Sequence, residues 1–168
     1  MNKVETMRLK DKMVAGVSKG VEGTFKLLAN VKLILRDGDG KIKHTDEIHN
    51  TVPAVGLNAI MDQLLASPTE AKPGWMELGE GTPSTTKLGD YVAGSRTALS
   101  AKTRADEVIT MRCTFAAGVG TGALTEAGIF GVVTEDSGTM YVSASFGVIT
   151  KAAADSLEII WTLTAAAA

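Results

Sequence analysis

From Phe25 onward apolar side chains recur at every second position, with Leu27, Ala29, Val31, Leu33 and Leu35 opposed by Lys26, Asn30, Lys32 and Arg36. A period of two is that of a half-buried strand, because successive side chains leave opposite faces of the pleat. The run stops at Asp37-Gly38-Asp39-Gly40, whose glycines suit a tight turn, and "KIKHTDEIHN" returns as its hairpin partner. The pattern then changes. Val55, Leu57, Ile60, Met61, Leu64 and Leu65 fall near helical spacing, which predicts one helix over residues 54–66, packed on a sheet. Pro68 and Pro73 follow, and a short strand at Trp75–Leu78 leads into a loop rich in Gly, Thr, Ser and Pro.

The second half of the chain alternates again. Ile109, Met111, Cys113 and Phe115 share one face, and "AGIFGVV" is apolar throughout. Met140, Val142, Ala144 and Phe146 oppose Thr139, Tyr141, Ser143 and Ser145; Leu157, Ile159, Trp161 and Leu163 oppose Ser156, Glu158, Thr162 and Thr164. In each strand one face is expected to be buried and the other wet. Turn signals at "GVGTG", "EDSG" and "KAAAD" have the spacing of an antiparallel β-sandwich or barrel. The final "AAAA" reads as a frayed end.

With 168 residues the chain suits one domain plus an arm, and its 45% hydrophobic and 21% charged residues point to neither disorder nor a membrane class. Its apolar runs fall short of the ~20 residues a membrane-spanning helix needs, and "MNKVETMRLKDKM" lacks the apolar core of a signal peptide, so a leaderless product of the cytoplasm is expected. A net charge of −2 offers no field for capturing nucleic acid. The arm differs. Within residues 1–20, Lys3, Arg8, Lys10, Lys12 and Lys19 outnumber Glu5 and Asp11, which suits a segment that orders on a partner. Cys113 is the one cysteine, so neither a disulfide framework nor a multi-cysteine metal site is open to the chain, and its place in an apolar strand predicts an inert thiol.

Motifs that match catalytic patterns fail on context. Gly16-Val17-Ser18-Lys19-Gly20 has the spacing of a nucleophile elbow but lies in a polar arm rather than at the end of a buried strand. Gly118 to Ala123 fits a dinucleotide fingerprint yet opens a strand instead of a helix, and a hairpin connection accounts for it. "DGDGK" lacks the later ligands of a calcium loop. His44 and His49, an odd number of residues apart in a strand, point to opposite faces and cannot share a metal. Glu126, between a glycine turn and an apolar run, is expected to accept N–H groups of the preceding turn and so pin the register of its strand. No metal, cofactor or catalytic set is expected.

Four stretches, "EIHNTVPAVGLNAIMDQLL", "WMELGEGTPSTTKLGDYV", "LTEAGIFG" and "AADSLEIIWTLT", resemble in content and order small structural proteins of tailed bacteriophages. The similarity covers residues 45–164 and leaves the arm unassigned. It implies a virion protein of the capsid decoration (cement) or fibre type, with a jelly-roll-like β-sandwich. The expectation is therefore an arm, residues 1–23, and a mainly β, antiparallel sandwich domain, residues 24–164. The implied partners are the major capsid protein and further copies of the chain, as a dimer or trimer, with no nucleic acid and no membrane. Lys3, Arg8, Lys10 and Lys12 are the expected capsid contacts, and Glu80, Thr82 and Lys87 the expected contacts between subunits. A tail-tip or fibre protein is the alternative, with the "GEGTPSTTK" loop as receptor face. A glycan hydrolase using Glu80 and Glu126 is the rival outside that class.

Overall fold

The alternation that opens at Phe25 becomes strand β1 (Phe25–Arg36), the second strand of a five-stranded antiparallel sheet. The structure is a computed structural model that describes residues 25–167. The expected arm lies outside the described residues, and with it Lys3, Arg8, Lys10, Lys12 and the elbow-like Gly16–Gly20 segment. β2 (Ile42–His49) follows a turn in which the Asp37 carboxylate accepts the Asp39 and Lys41 N–H groups and Gly40 takes a φ of 82°. That positive φ suits a residue without Cβ. The same sheet gains β5 (Ala101–Ala105), β6 (Val108–Phe115) and β9 (Ser156–Ala167), in the order β2-β1-β9-β6-β5. A four-stranded antiparallel sheet contains β3 (Trp75–Gly79), β4 (Thr97–Ala98), β7 (Gly122–Phe130) and β8 (Met140–Lys151), in the order β4-β3-β7-β8.

The two sheets enclose one core. Val31 and Leu33 from β1, Cys113 and Phe115 from β6, and Ile159 and Trp161 from β9 meet Leu78, Leu124, Ile129 and Val142 of the other sheet, all fully buried. Each such side chain contributes about 1.5–3 kcal/mol of transfer free energy. The mainly β sandwich expected from the alternation is thus present, with one helix among the described residues, α1 (Ala54–Asp62).

Several local expectations are corrected. The "GVGTG" segment is no hairpin: it carries the chain from β6 in one sheet to β7 in the other. Residues 165–167 do not fray but extend β9, pairing with Leu27, Lys26 and Phe25, because a backbone ladder needs no large side chains. The Tyr141/Ser143 face of β8 is buried rather than wet. It lies under α1, where Gly56 meets the Tyr141 carbonyl so closely that a Cβ would overlap it.

The helix packs on β8 as expected, but through Gly56 and Ala59, while Leu57, Met61, Leu64 and Leu65 stay exposed. It also ends at Asp62, short of residue 66. The Asp62 carboxylate accepts the Thr69 N–H and hydroxyl and the Glu70 N–H at 2.8–3.0 Å, drawing the chain back on itself. Those donors hold the carboxyl below its usual pKa, the Glu70 N–H most of all.

Sheet edges are guarded. β5 presents Lys102 and Arg104, β2 is studded with Lys43, Asp46 and Glu47, and β8 carries an irregularity at residues 146–148 and is bridged at Ser143 by Thr51.

Candidate interaction surface

Residues 80–96, between β3 and β4, form the loop singled out in the sequence. It folds over the outer face of the four-stranded sheet, where Leu88 packs with Phe130 and Met140. Glu126 organises it. From the middle of β7 its carboxylate, fully buried, accepts the N–H groups of Gly81 at 3.1 Å, Gly89 at 3.0 Å and Asp90 at 2.9 Å. Glu126 therefore holds a loop distant in sequence rather than the turn before it. The reason is register: Glu126 stands opposite Gly79, where the chain leaves β3 and enters the loop. Glu80 acts in the reverse direction, its Oε1 accepting the Ala123 N–H at 2.8 Å where β7 begins. The two carboxylates thus lock loop and strand by exchange, each facing backbone donors.

A second acidic group lies beneath the same loop. Glu77, fully buried on β3, receives the Arg96 guanidinium through Nε at 3.1 Å and Nη2 at 2.9 Å. Arg96 also donates to the Val132 and Ser137 carbonyls and stacks 3.8 Å over the Phe130 ring. One side chain thereby ties the loop after β7 to β3 and β4. Burial raises the Glu77 pKa above the ordinary glutamate value, and Arg96 opposes that rise.

Other polar groups are absorbed in the same manner. Lys151 Nζ, buried, donates to the Ala116 carbonyl at 3.0 Å, and burial lowers its pKa. Asp155 pairs with Lys43 at 2.6 Å and caps the Ala152 N–H. Burial pushes the Cys113 thiol up to about 12, which leaves almost no thiolate. His44 pairs with Leu35 and His49 with Asn30, so the histidines occupy opposite faces of β2. Among the described residues no three His, Cys, Asp or Glu side chains gather as a metal site would require.

Of the expected subunit contacts, Glu80 is engaged within the chain, Thr82 is exposed, and Lys87 lies 3.2 Å from Asp136 in an exposed pair. The sequence reading missed Glu77, Arg96, β4 and β5. Only the isolated charge inside "WMELG" hinted at the first of these.

An apolar cleft of about 490 Å³ opens between α1 and the inner face of the five-stranded sheet, lined by Leu27, Ile60, Leu64, Ile109, Met111 and Leu163 among others. It was not foreseen, because its walls come from six separate elements, β1, α1, β5, β6, β8 and β9. No described helix is long and apolar enough to cross a membrane. Comparison of the chain with family models, curated proteins and solved structures finds no match.

Proposed function

We propose that the chain is a non-enzymatic structural protein of a tailed-phage particle, a decoration (cement) protein that binds the major capsid lattice as a dimer or trimer. One observation carries the non-enzymatic part of this reading. The buried carboxylates beneath the candidate loop are saturated by donors of their own chain, Glu126 by three backbone N–H groups and Glu77 by a two-pronged guanidinium. A general acid or nucleophile needs an oxygen that faces substrate. These oxygens hold shape instead. The phage assignment draws on the four sequence stretches that resemble virion proteins.

Shell binding needs a rigid module with broad faces and no turnover, since repeated weak contacts over a lattice add up to firm attachment. The wet outer face of the five-stranded sheet, bearing Lys32, Glu47, Arg112 and Glu158, and the exposed tip of the 80–96 loop are the surfaces such a module offers. The basic residues Lys3, Arg8, Lys10 and Lys12 extend the contact to acidic capsid sites.

The test is location and copy number on purified particles, by electron microscopy with a labelled chain. Density repeated over the shell supports the reading. A few copies at the tail would replace it with the tail-tip or fibre alternative, and absence from particles would overturn both. Reversing the charge of Lys3, Arg8, Lys10 and Lys12 in the full chain should abolish binding to undecorated capsids.

A further inference from the structure

The cleft beside α1 has the makings of a ligand site that the virion reading does not use. Its volume of about 490 Å³ falls within the range of small-molecule pockets, roughly 300–1,000 Å³. Its floor is the inner face of the five-stranded sheet beyond the reach of the other sheet, where Leu163 and Met111 are buried and Ile109 is left 39% exposed. Its roof is α1 and the segment after it, through Ile60 and Leu64. The mouth is cationic. Lys72, Lys102 and Arg104 line it beside one carboxylate, Glu107, while the charges of Glu70 and Asp62 also act on its Tyr141. Lys102 is held in place, its Nζ donating to the Pro73 carbonyl at 2.9 Å across the opening.

A further group lacks a partner. Gln63 lines the cleft; its Nε2 donates to the Glu70 carbonyl at 2.9 Å, while its Oε1 is buried and accepts nothing among the described residues. An unmet buried acceptor destabilises the fold, and a donor on a ligand would relieve it. Apolar walls, an unmet acceptor and a cationic rim make complementary demands on one molecule.

We propose that this cleft binds a single-chain amphiphile with an apolar tail, an amide or hydroxyl donor along the chain and a terminal carboxylate. The tail lies among Leu27, Ile60, Ile109, Met111 and Leu163, the donor meets Gln63 Oε1 once that amide turns from its buried position into the cleft, and the carboxylate sits between Lys72, Lys102 and Arg104. Residues 1–24, which directly precede Phe25 and so lie close in sequence to the cleft-lining Leu27, are the rival occupant. Their own excess of Lys and Arg over Asp and Glu sets like charge against the rim, so they fit it poorly.

Calorimetric titration of the full chain tests this with N-dodecanoylglycine below its micelle concentration, and with dodecyltrimethylammonium as the cationic counterpart. One saturable site is expected, with at least tenfold preference for the acylglycine. Reversing the exposed Lys72, Lys102 and Arg104 to Glu should invert that preference. Gln63→Met should weaken acylglycine binding several-fold, with native circular dichroism showing that loss of its bond to the Glu70 carbonyl leaves the chain folded. Absence of saturable binding, as when residues 1–24 fill the cleft, would overturn the proposal. So would equal affinity for the two amphiphiles, or binding only to phosphatidylglycerol vesicles. None of these results bears on where the protein sits in a particle.

Discussion

Arg96 Nη2 lies 2.9 Å from Glu77 Oε2, and the two side chains keep only 2% and 0% of their exposure. Attraction inside a protein rarely exceeds the cost of desolvating both charges, but leaving one charge behind is far worse. Arg96→Met should therefore destabilise by about 3–5 kcal/mol in urea unfolding, the range for breaking a buried pair. The double variant Glu77→Leu/Arg96→Met should cost clearly less than the sum of its single changes. Additive losses would mean that the pair is not coupled.

Glu126 faces three backbone N–H groups, and its replacement tests what organises the 80–96 loop. Glu126→Gln nearly keeps the volume but turns a donor toward donors and removes the charge, so a loss of about 2–4 kcal/mol is expected from bonds to a charged acceptor. Hydrogen exchange should accelerate at Gly81, Gly89 and Asp90, while amides in β1 and β9 stay protected relative to the new global stability. Uniform acceleration across both sheets would show that the loop is not an independent unit.

Trp161 fills the centre of the core, fully buried, and its indole N–H meets the side chain of Asn50. With the Asn50 amide oriented to satisfy both neighbours, its oxygen accepts Trp161 Nε1–H at 2.8 Å and its nitrogen donates to the Ala29 carbonyl at 2.8 Å. Trp161→Ala should cost about 3–5 kcal/mol through the cavity it leaves. Asn50→Ala removes no core volume of that size but orphans the indole N–H, which predicts a loss of about 1–3 kcal/mol. A denaturation midpoint near that of the parent chain in either variant would contradict the assignment.

These examples mark where sequence reading succeeds and where it stops. Alternation along β1, β6 and β9 identified Val31, Cys113 and Trp161 as inward because a period of two is a local property. It misread the face bearing Tyr141 and Ser143, since what covers a sheet is decided by elements elsewhere in the chain. The helix shows the same limit: its leucines marked an apolar stripe, yet the packed side is Gly56 and Ala59, because close backbone approach favours the smallest residues. Glu126 was legible as a structural carboxylate, but its partners were not, as they lie 36–45 residues away. β5 was invisible because all five of its residues are exposed, so it carries no alternation.

Asp155 makes the acid limb of stability a specific expectation. Its carboxylate accepts Lys43 Nζ and the Ala152 N–H, and these bonds, Lys43 foremost, hold its pKa below the usual aspartate value. A carboxyl lowered on folding stabilises the native state above its unfolded pKa, about 3.9, and that contribution fades as pH falls through the lowered value. Glu77 has the opposite sign. Its raised pKa means that the folded state binds a proton more readily than the unfolded one, so its contribution declines as pH rises from about 4.3 through the raised value. Asp155→Asn should therefore lower stability at neutral pH and flatten the loss below pH ~4, with Glu77→Gln altering the slope only above that point. Thermal midpoints measured across pH 2.5–7 would separate the two, and an unchanged acid slope in Asp155→Asn would show that the Lys43 contact does not persist in solution.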